Sequence, residues 1–255
     1  QMSVDEEYLL SEALTLLGQF DGLPNLEGLE NLRLGLGLRK PQRKIISLSK
    51  NPLEDSNILG ELFTAISQKL TITLYYHTFK AKEARLSVNL YPYLLKEYNR
   101  RWFLIAAAES DGKLLTFSLD RIDDVKPLSS HKYAEYEGDI NEIYEDIIGI
   151  TYKEESPVYK ILFWVSNMSA DYVATKPLHE SQRNIGSAHE TELRSQFPQL
   201  IEGRFFLIEC KENYELIREL TSFGKDLVVL SPSPITGMVE KRISDMNEIY
   251  SDLRK

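Results

Sequence analysis

Apolar residues recur along this chain at two spacings, and the change from one to the other divides it. In the segment from Tyr8 to Leu17, Leu10, Leu14 and Leu17 return at helical spacing. From Asp21 to Leu38, Gly22, Gly28, Gly35 and Gly37 stand among leucines, and the pattern assigns no element there. Asn51-Pro52-Leu53-Glu54 reads as a helix start, with a capping Asn followed by Pro in the first turn. Behind it, Ile58, Leu62, Phe63, Ile66 and Leu70 form one apolar stripe of the kind that packs a core. After Leu70 the period falls to two. Ile72, Leu74 and Tyr76 alternate with Thr73, Tyr75 and His77, and Leu86, Val88 and Leu90 alternate with Ser87, Asn89 and Tyr91. Trp102 to Ala108 is a third strand. Asp111-Gly112 marks a tight turn to Leu114–Leu119, and Ile122 and Val125 begin a fifth strand. Five short strands within about sixty residues predict a small closed or nearly closed barrel.

Beyond Leu128 the two spacings alternate. Asp139 is placed to cap a short helix with Ile140, Ile143, Tyr144 and Ile147 inward and Gly149 at its end. Strands are predicted at Val158–Val165, Arg204–Cys210 and Leu227–Leu230, and helices at Ala170–Thr175 and Tyr214–Phe223. A last helix carries Met238, Ile243, Met246, Ile249, Tyr250 and Leu253 on one face. The polar stretch from Glu180 to Gln199 is ambiguous between a hairpin arm and a loop. The fold class expected is α+β: a helical connector over 1–70, the small barrel over 71–128, a linker with a short helix over 129–155 and a compact α/β unit over 156–255.

Composition narrows the function classes. Hydrophobic residues make up 42% of the chain and charged residues 27%, as in ordinary globular proteins. No apolar run approaches the ~18 residues that a membrane span needs. The acidic start lacks the basic-then-apolar pattern of a secretory signal, and Gln1 ahead of Met2 points to a native chain that continues upstream. Cys210 is the one cysteine, which rules out an internal disulfide, and its apolar neighbours give it the role of a small buried hydrophobe. A cytoplasmic location is the expectation. The net charge of −9 is unlike that of a uniformly basic nucleic-acid binder. Between Thr71 and Leu128, however, nine Lys and Arg stand against seven Asp and Glu. So small an excess is consistent with a local anion site and with chance.

The signatures of phosphate loops, dinucleotide folds, zinc proteases and nucleophile elbows are all absent from the sequence. His77, His131, His179 and His189 are scattered, and none pairs with another ligand at metal spacing. Neither catalytic residues, nor a metal, nor a cofactor is expected. An enzyme assembled from residues far apart in sequence stays open as an alternative. The barrel segment does contain cations beside aromatics. Lys96, Arg100 and Arg101 precede Trp102, Tyr91, Tyr93 and Tyr98 are interleaved with them, and Phe117 and Arg121 flank the next strand. Guanidinium forks bind phosphates, and aromatic faces stack on bases. Aromatics filling the barrel while cations solvate its rim would give the same composition, and composition alone favours that reading.

Three blocks resemble the WYL domain of bacterial transcription regulators. Trp102-Phe103-Leu104, within the run from Tyr91, stands where that family has Trp-Tyr-Leu. Phe117-Ser118-Leu119-Asp120-Arg121-Ile122 resembles its second signature, and Ile72-Thr73-Leu74-Tyr75-Tyr76 its opening strand. The region from Ser156 onward, with Leu227-Val228-Val229-Leu230-Ser231-Pro232, resembles the C-terminal extension called WCX. The resemblance implies an Sm-like, SH3-like five-strand barrel that senses a ligand behind a winged helix-turn-helix. It implies a single-stranded nucleic acid or nucleotide effector, and a homodimer. Carried over by position, Tyr76, Arg101 and Arg121 are the first ligand candidates. His77, Tyr93, Lys96, Arg100 and Phe117 follow.

Two departures bear on the site. Phe103 removes a hydroxyl, and Ser118 stands where many members carry Arg. No helix-turn-helix is convincing before residue 71, so operator DNA is expected to be reached only through a domain upstream. The chain is accordingly read as the sensing and dimerising portion of a regulator. A purely structural dimerisation module and a nucleic-acid-processing enzyme are the alternatives.

Overall fold

The computed structural model describes residues 3–17, 31, 34–37, 56–78 and 85–254. The chain divides into two units, Gln1–Gly138 and Asp139–Lys255, each with its own apolar core.

The first unit opens with α1 (Val4–Leu17). Ser3 and Glu6 cap it reciprocally. The Ser3 N–H donates to Glu6 Oε2 at 2.7 Å, and the Glu6 N–H donates to Ser3 Oγ at 3.3 Å. Helix α2 (Ser56–Ser67) follows; the start expected at Asn51–Glu54 lies outside the described residues. Its buried face is Ile58, Leu59, Leu62 and Ala65, while Phe63 is 46% exposed. The apolar stripe is thus centred on Leu62 and excludes the Phe that the periodicity placed in it.

Five strands come next: β1 (Ile72–His77), β2 (Arg85–Tyr98), β3 (Arg101–Ala108), β4 (Leu114–Ser118) and β5 (Ile122–Pro127). They form one antiparallel sheet in the order β4-β3-β2-β1-β5. This corrects the expected barrel: the sheet is open, and β4 and β5 are its two edges. The physical reason lies in the cover of its inner face. Ile72, Leu74, Leu90, Leu104 and Val125 share one core with Ile58, Leu59 and Leu62 of α2. The helix therefore buries the apolar face that strand closure would otherwise have to enclose.

Two register shifts set side-chain directions within the sheet. In β2 the ladder passes from Pro92↔Ala106 to Leu94↔Ile105, so Tyr93 is the extra residue of a bulge. Core positions then move from even numbers (Leu90) to odd (Leu95, paired with Leu104). Between β1 and β5, Tyr75 pairs with Asp124 and Tyr76 with Ile122, which leaves Asp123 as the extra residue.

In the second unit, β6 (Val158–Ser166), β7 (Arg183–Asn184), β8 (Gly203–Lys211) and β9 (Leu227–Ser231) form an antiparallel sheet in the order β7-β8-β6-β9. Helix α3 (Asn167–Thr175) joins β6 to β7, α4 (Ser187–Gln196) joins β7 to β8, and α5 (Tyr214–Ser222) joins β8 to β9. The closing helix is α6 (Ser233–Asp252). Without α4, the strand order is that of a split β-α-β, ferredoxin-like arrangement. Ile161, Phe163 and Val165 of β6 face the core shared with α3, α5 and the start of α6. Trp164, the alternate residue, faces the other side, where Leu193 of α4 and Phe205 cover it.

Two local expectations are corrected here. The helix expected after Asp139 is only a 3-10 turn at Glu142–Tyr144. Asp139 Oδ1 accepts from the Asn141 N–H at 2.8 Å, making a local turn that competes with helix capping. The ambiguous stretch from Glu180 to Gln199 is neither arm nor loop; it holds β7 and α4.

Gly203, where β8 begins, is buried under the Trp164 ring. A Cβ there would stand 2.3 Å from the Val165 carbonyl oxygen and 2.5 Å from the indole. Gly203→Ala is expected to destabilise the second unit by about 1–3 kcal/mol, the range for overpacking a tight core. Urea unfolding followed by indole fluorescence measures it.

Candidate functional site

The site forms where β1, the β3 start and the β4–β5 connection meet. Tyr76 ends the inward row Ile72, Leu74, Tyr76 and is 6% exposed. Phe117 comes from β4, with its ring edge-on to Tyr76 at 5.1 Å between centroids. The Leu119–Arg121 3-10 turn then carries Arg121 back, so that its guanidinium lies 5.0 Å from the Tyr76 ring centroid. A cation over a phenol face at that distance is attracted by the ring quadrupole. Burial raises the Tyr76 phenol above its usual value, and the charge of Arg121 opposes that rise.

Asp120 lies between the two guanidinium groups in sequence and links to one of them. Its carboxylate, 5% exposed, meets Arg101 Nη2 at 3.3 Å. It also accepts a hydrogen bond from the Ser118 hydroxyl. A buried carboxylate needs a cation and donors, and here both come from residues that flank the site. Arg101 itself is 39% exposed. A guanidinium carries five N–H donors in a planar fork, and the carboxylate contact uses one nitrogen. On the neighbouring edge, His77 Nδ1 is 3.2 Å from Asp123 Oδ1, the carboxylate that the β5 bulge supplies.

The structure thus brings together Tyr76, His77, Arg101, Phe117 and Arg121. It separates the other three candidates. Lys96 shares a ladder row with Phe103 and Ser118, on the sheet face opposite Leu95, Leu104 and Phe117. Arg100 and Asn99 form the β2–β3 turn with positive φ angles of 64° and 52°, and the Arg100 N–H donates to Glu97 Oε1. Tyr93 is turned away by its bulge. It packs with Tyr133 at 6.1 Å and Tyr136 at 5.6 Å, in a tyrosine cluster that also includes Tyr91. Sequence reasoning missed Asp120 and Asp123 as site members. Asp120 was within reach, since it stands inside the motif that supplied Phe117 and Arg121. Asp123 depends on a bulge that no spacing announces.

The tyrosine cluster has its own titration signature. The Tyr133 hydroxyl donates to the Pro92 carbonyl at 2.7 Å. Burial, helped by the neighbouring Tyr93 and Glu135, pushes this phenol up to about 12. The unfolded phenol ionises near pH 10. The stabilisation tied to the neutral phenol is therefore whole below about pH 10 and is lost as pH rises toward about 12. Tyr133→Phe is expected to flatten the fall in stability of the first unit over that window. It should also remove one phenol that titrates near pH 12 from an ultraviolet difference titration.

No described helix is long and apolar enough to cross a membrane. Among the described residues, no three His, Cys, Asp or Glu side chains gather as a metal site would require. Solved structures similar to this chain include the following two. One is proteasome accessory factor B/C (PafBC) of Arthrobacter aurescens, at 14% identity and a TM-score of 0.33, covering 94% of this chain and 34% of that one. The other is a CRISPR Cas-related protein, at 13% identity and a TM-score of 0.40, covering 78% of this chain and 54% of that one. The chain thus spans about a third and about half of their lengths. No curated protein matches it. Residues 57–127, from α2 through β5, match the model of the WYL domain. Over that region, which holds the whole Tyr76–Arg101–Arg121 site, the chain carries a WYL domain.

Proposed function

We propose that this chain is the ligand-sensing and dimerising portion of a transcription regulator, and that its WYL domain binds a single-stranded nucleic acid or nucleotide. The observation that carries the reading is Arg121 over Tyr76 with Arg101 held beside it by Asp120. Guanidinium forks suit a phosphate, and the face of the Arg121 guanidinium turned away from the buried Tyr76 ring suits the stacking of a base. Operator DNA would be read by a domain upstream of this chain.

The dimerising half draws support from α6. After Val239 its apolar residues are largely exposed among the described residues: Ile243, Met246, Tyr250 and Leu253 are 51–77% exposed. Together with Val239 they repeat in steps of four and three, which is the spacing of a coiled-coil seam. A second copy running antiparallel would place Ile243 opposite Leu253 of the partner subunit and Met246 opposite Tyr250 of the partner subunit. In that register Glu240 faces Arg254 of the partner subunit, so the flanking charges are complementary.

Two measurements test these halves. Fluorescence anisotropy with a labelled single-stranded oligonucleotide should show salt-sensitive binding. Arg101→Ala and Arg121→Ala should each weaken it and lower the slope of log K on log salt by about 0.7, the value for one phosphate contact on a single strand. Arg101→Lys keeps the charge but loses the fork, so it should restore the slope without restoring full affinity. Unchanged binding in both alanine variants, with native circular dichroism, sinks the assigned site.

Sedimentation should give a dimer that Ile243→Asp with Leu253→Asp converts to monomer. Glu240→Arg alone should weaken association, and adding Arg254→Glu should restore it. A failure of that rescue rejects the antiparallel register.

A further inference from the structure

The second unit holds a cavity that the proposed nucleic-acid site does not use. Helices α3, α5 and α6 cover one face of its sheet, and α4 covers the Trp164–Phe205 half of the other. The remaining half is open. It forms a hollow of about 530 Å³ between the strands and α4, within the range of small-molecule sites. Its floor is the half-buried row Leu207, Leu162 and Leu230, and α4 closes one side with Leu193 and Phe197.

The polar groups of the hollow carry a sign. Arg183 and Lys160 both line it. Arg183 Nη2 is 2.6 Å from Glu209 Oε1, and Glu209 pairs with Lys160 across the β6–β8 ladder. Both cations lower the Glu209 carboxyl, with Arg183 the stronger. Two cations against one carboxylate leave one positive charge beside an apolar floor. Lys160 acts on Glu209 only through its charge, and His189 also lines the hollow.

From this placement we infer that the hollow binds a small amphipathic organic anion, with its carboxylate at Lys160 and its hydrocarbon body on Leu162, Leu207 and Leu230. The site lies wholly within the second unit, so its success or failure is independent of nucleic-acid binding at Tyr76. A neutral amphiphile would forgo the Lys160 charge. A small inorganic anion would leave the leucine floor wet. Both halves of the ligand are therefore required.

The test uses the full chain and the probe 8-anilinonaphthalene-1-sulfonate, read by energy transfer from tryptophan. The probe should bind the native protein and be displaced by octanoate, but not by octanol or inorganic phosphate at equal concentration. Lys160→Ala should weaken octanoate about tenfold, the scale of one charge-assisted hydrogen bond, and leave the thermal midpoint unchanged. Leu230→Glu, which puts a carboxylate on the floor, should abolish displacement. Leu230→Met, close in volume, guards against a folding artefact and should retain it. Displacement by octanol as strong as by octanoate overturns the assignment of an anion. Octanoate affinity unchanged in both Lys160→Ala and Leu230→Glu overturns the site.

Discussion

The burial of the inner face of the five-stranded sheet under α2 is the contact on which the first unit rests. Ile58, Leu59, Leu62 and Ala65 supply the apolar surface that an open sheet lacks. Burying one such side chain is worth roughly 1.5–3 kcal/mol, so the helix is as much a part of this domain as any strand. That also explains why the WYL match begins at Asn57, within α2, and not at the first strand. The inward row Ile72, Leu74, Tyr76 starts in the dry core and ends on a phenol. The candidate site is therefore the polar end of the core itself. Its aromatic members are held by packing before any ligand arrives.

Strand identities were legible in the sequence because alternation survives wherever the ladder is regular. Ile72, Leu74 and Tyr76 point inward as their spacing predicts. The three motif blocks named Tyr76, Phe117 and Arg121 as ligand candidates, and these three, which distant segments contribute, lie together in the structure. Alternation failed at bulges. One extra residue, Tyr93, turns every later side chain of β2 to the other face, and the cationic run of the sequence is dispersed. Lys96 goes to one face and Arg100 to a turn, while Arg101 alone reaches the site through Asp120. A cluster in sequence was thus a poor guide to a cluster in space.

The second unit shows the complementary limit. Its strands read as continuous apolar runs because both faces of β6 are partly buried, Phe163 on one side and Trp164 on the other. Such runs locate a strand but do not say which side a helix will cover. Helix α4, which decides the shape of the open face, lies in a stretch with too few apolar residues to show a period: Leu193 is its one buried side chain. The last helix misleads in the other direction. Its clean apolar stripe looks like core packing, yet it stays exposed beyond Val239, because amphipathicity records that a face needs a partner without saying which molecule supplies it.

The chemistry of the candidate site is constrained most by Asp120. Its carboxylate is nearly buried and depends on Arg101 and the Ser118 hydroxyl. A nearly buried carboxylate stripped of its cation partner is left with an uncompensated charge, which is unfavourable. An anion reaching this end of the sheet therefore has to share the Arg101 fork with Asp120, since capturing it outright would be unfavourable. Arg121 lies over the Tyr76 ring, which couples it to an aromatic side chain. The two cations are consequently unequal. Arg101 is fixed in position by a buried partner and suits the recognition of one planar oxyanion. Arg121 is held against a ring, so in the proposed nucleotide reading the two cations have different parts, Arg101 meeting an oxyanion and Arg121 a base.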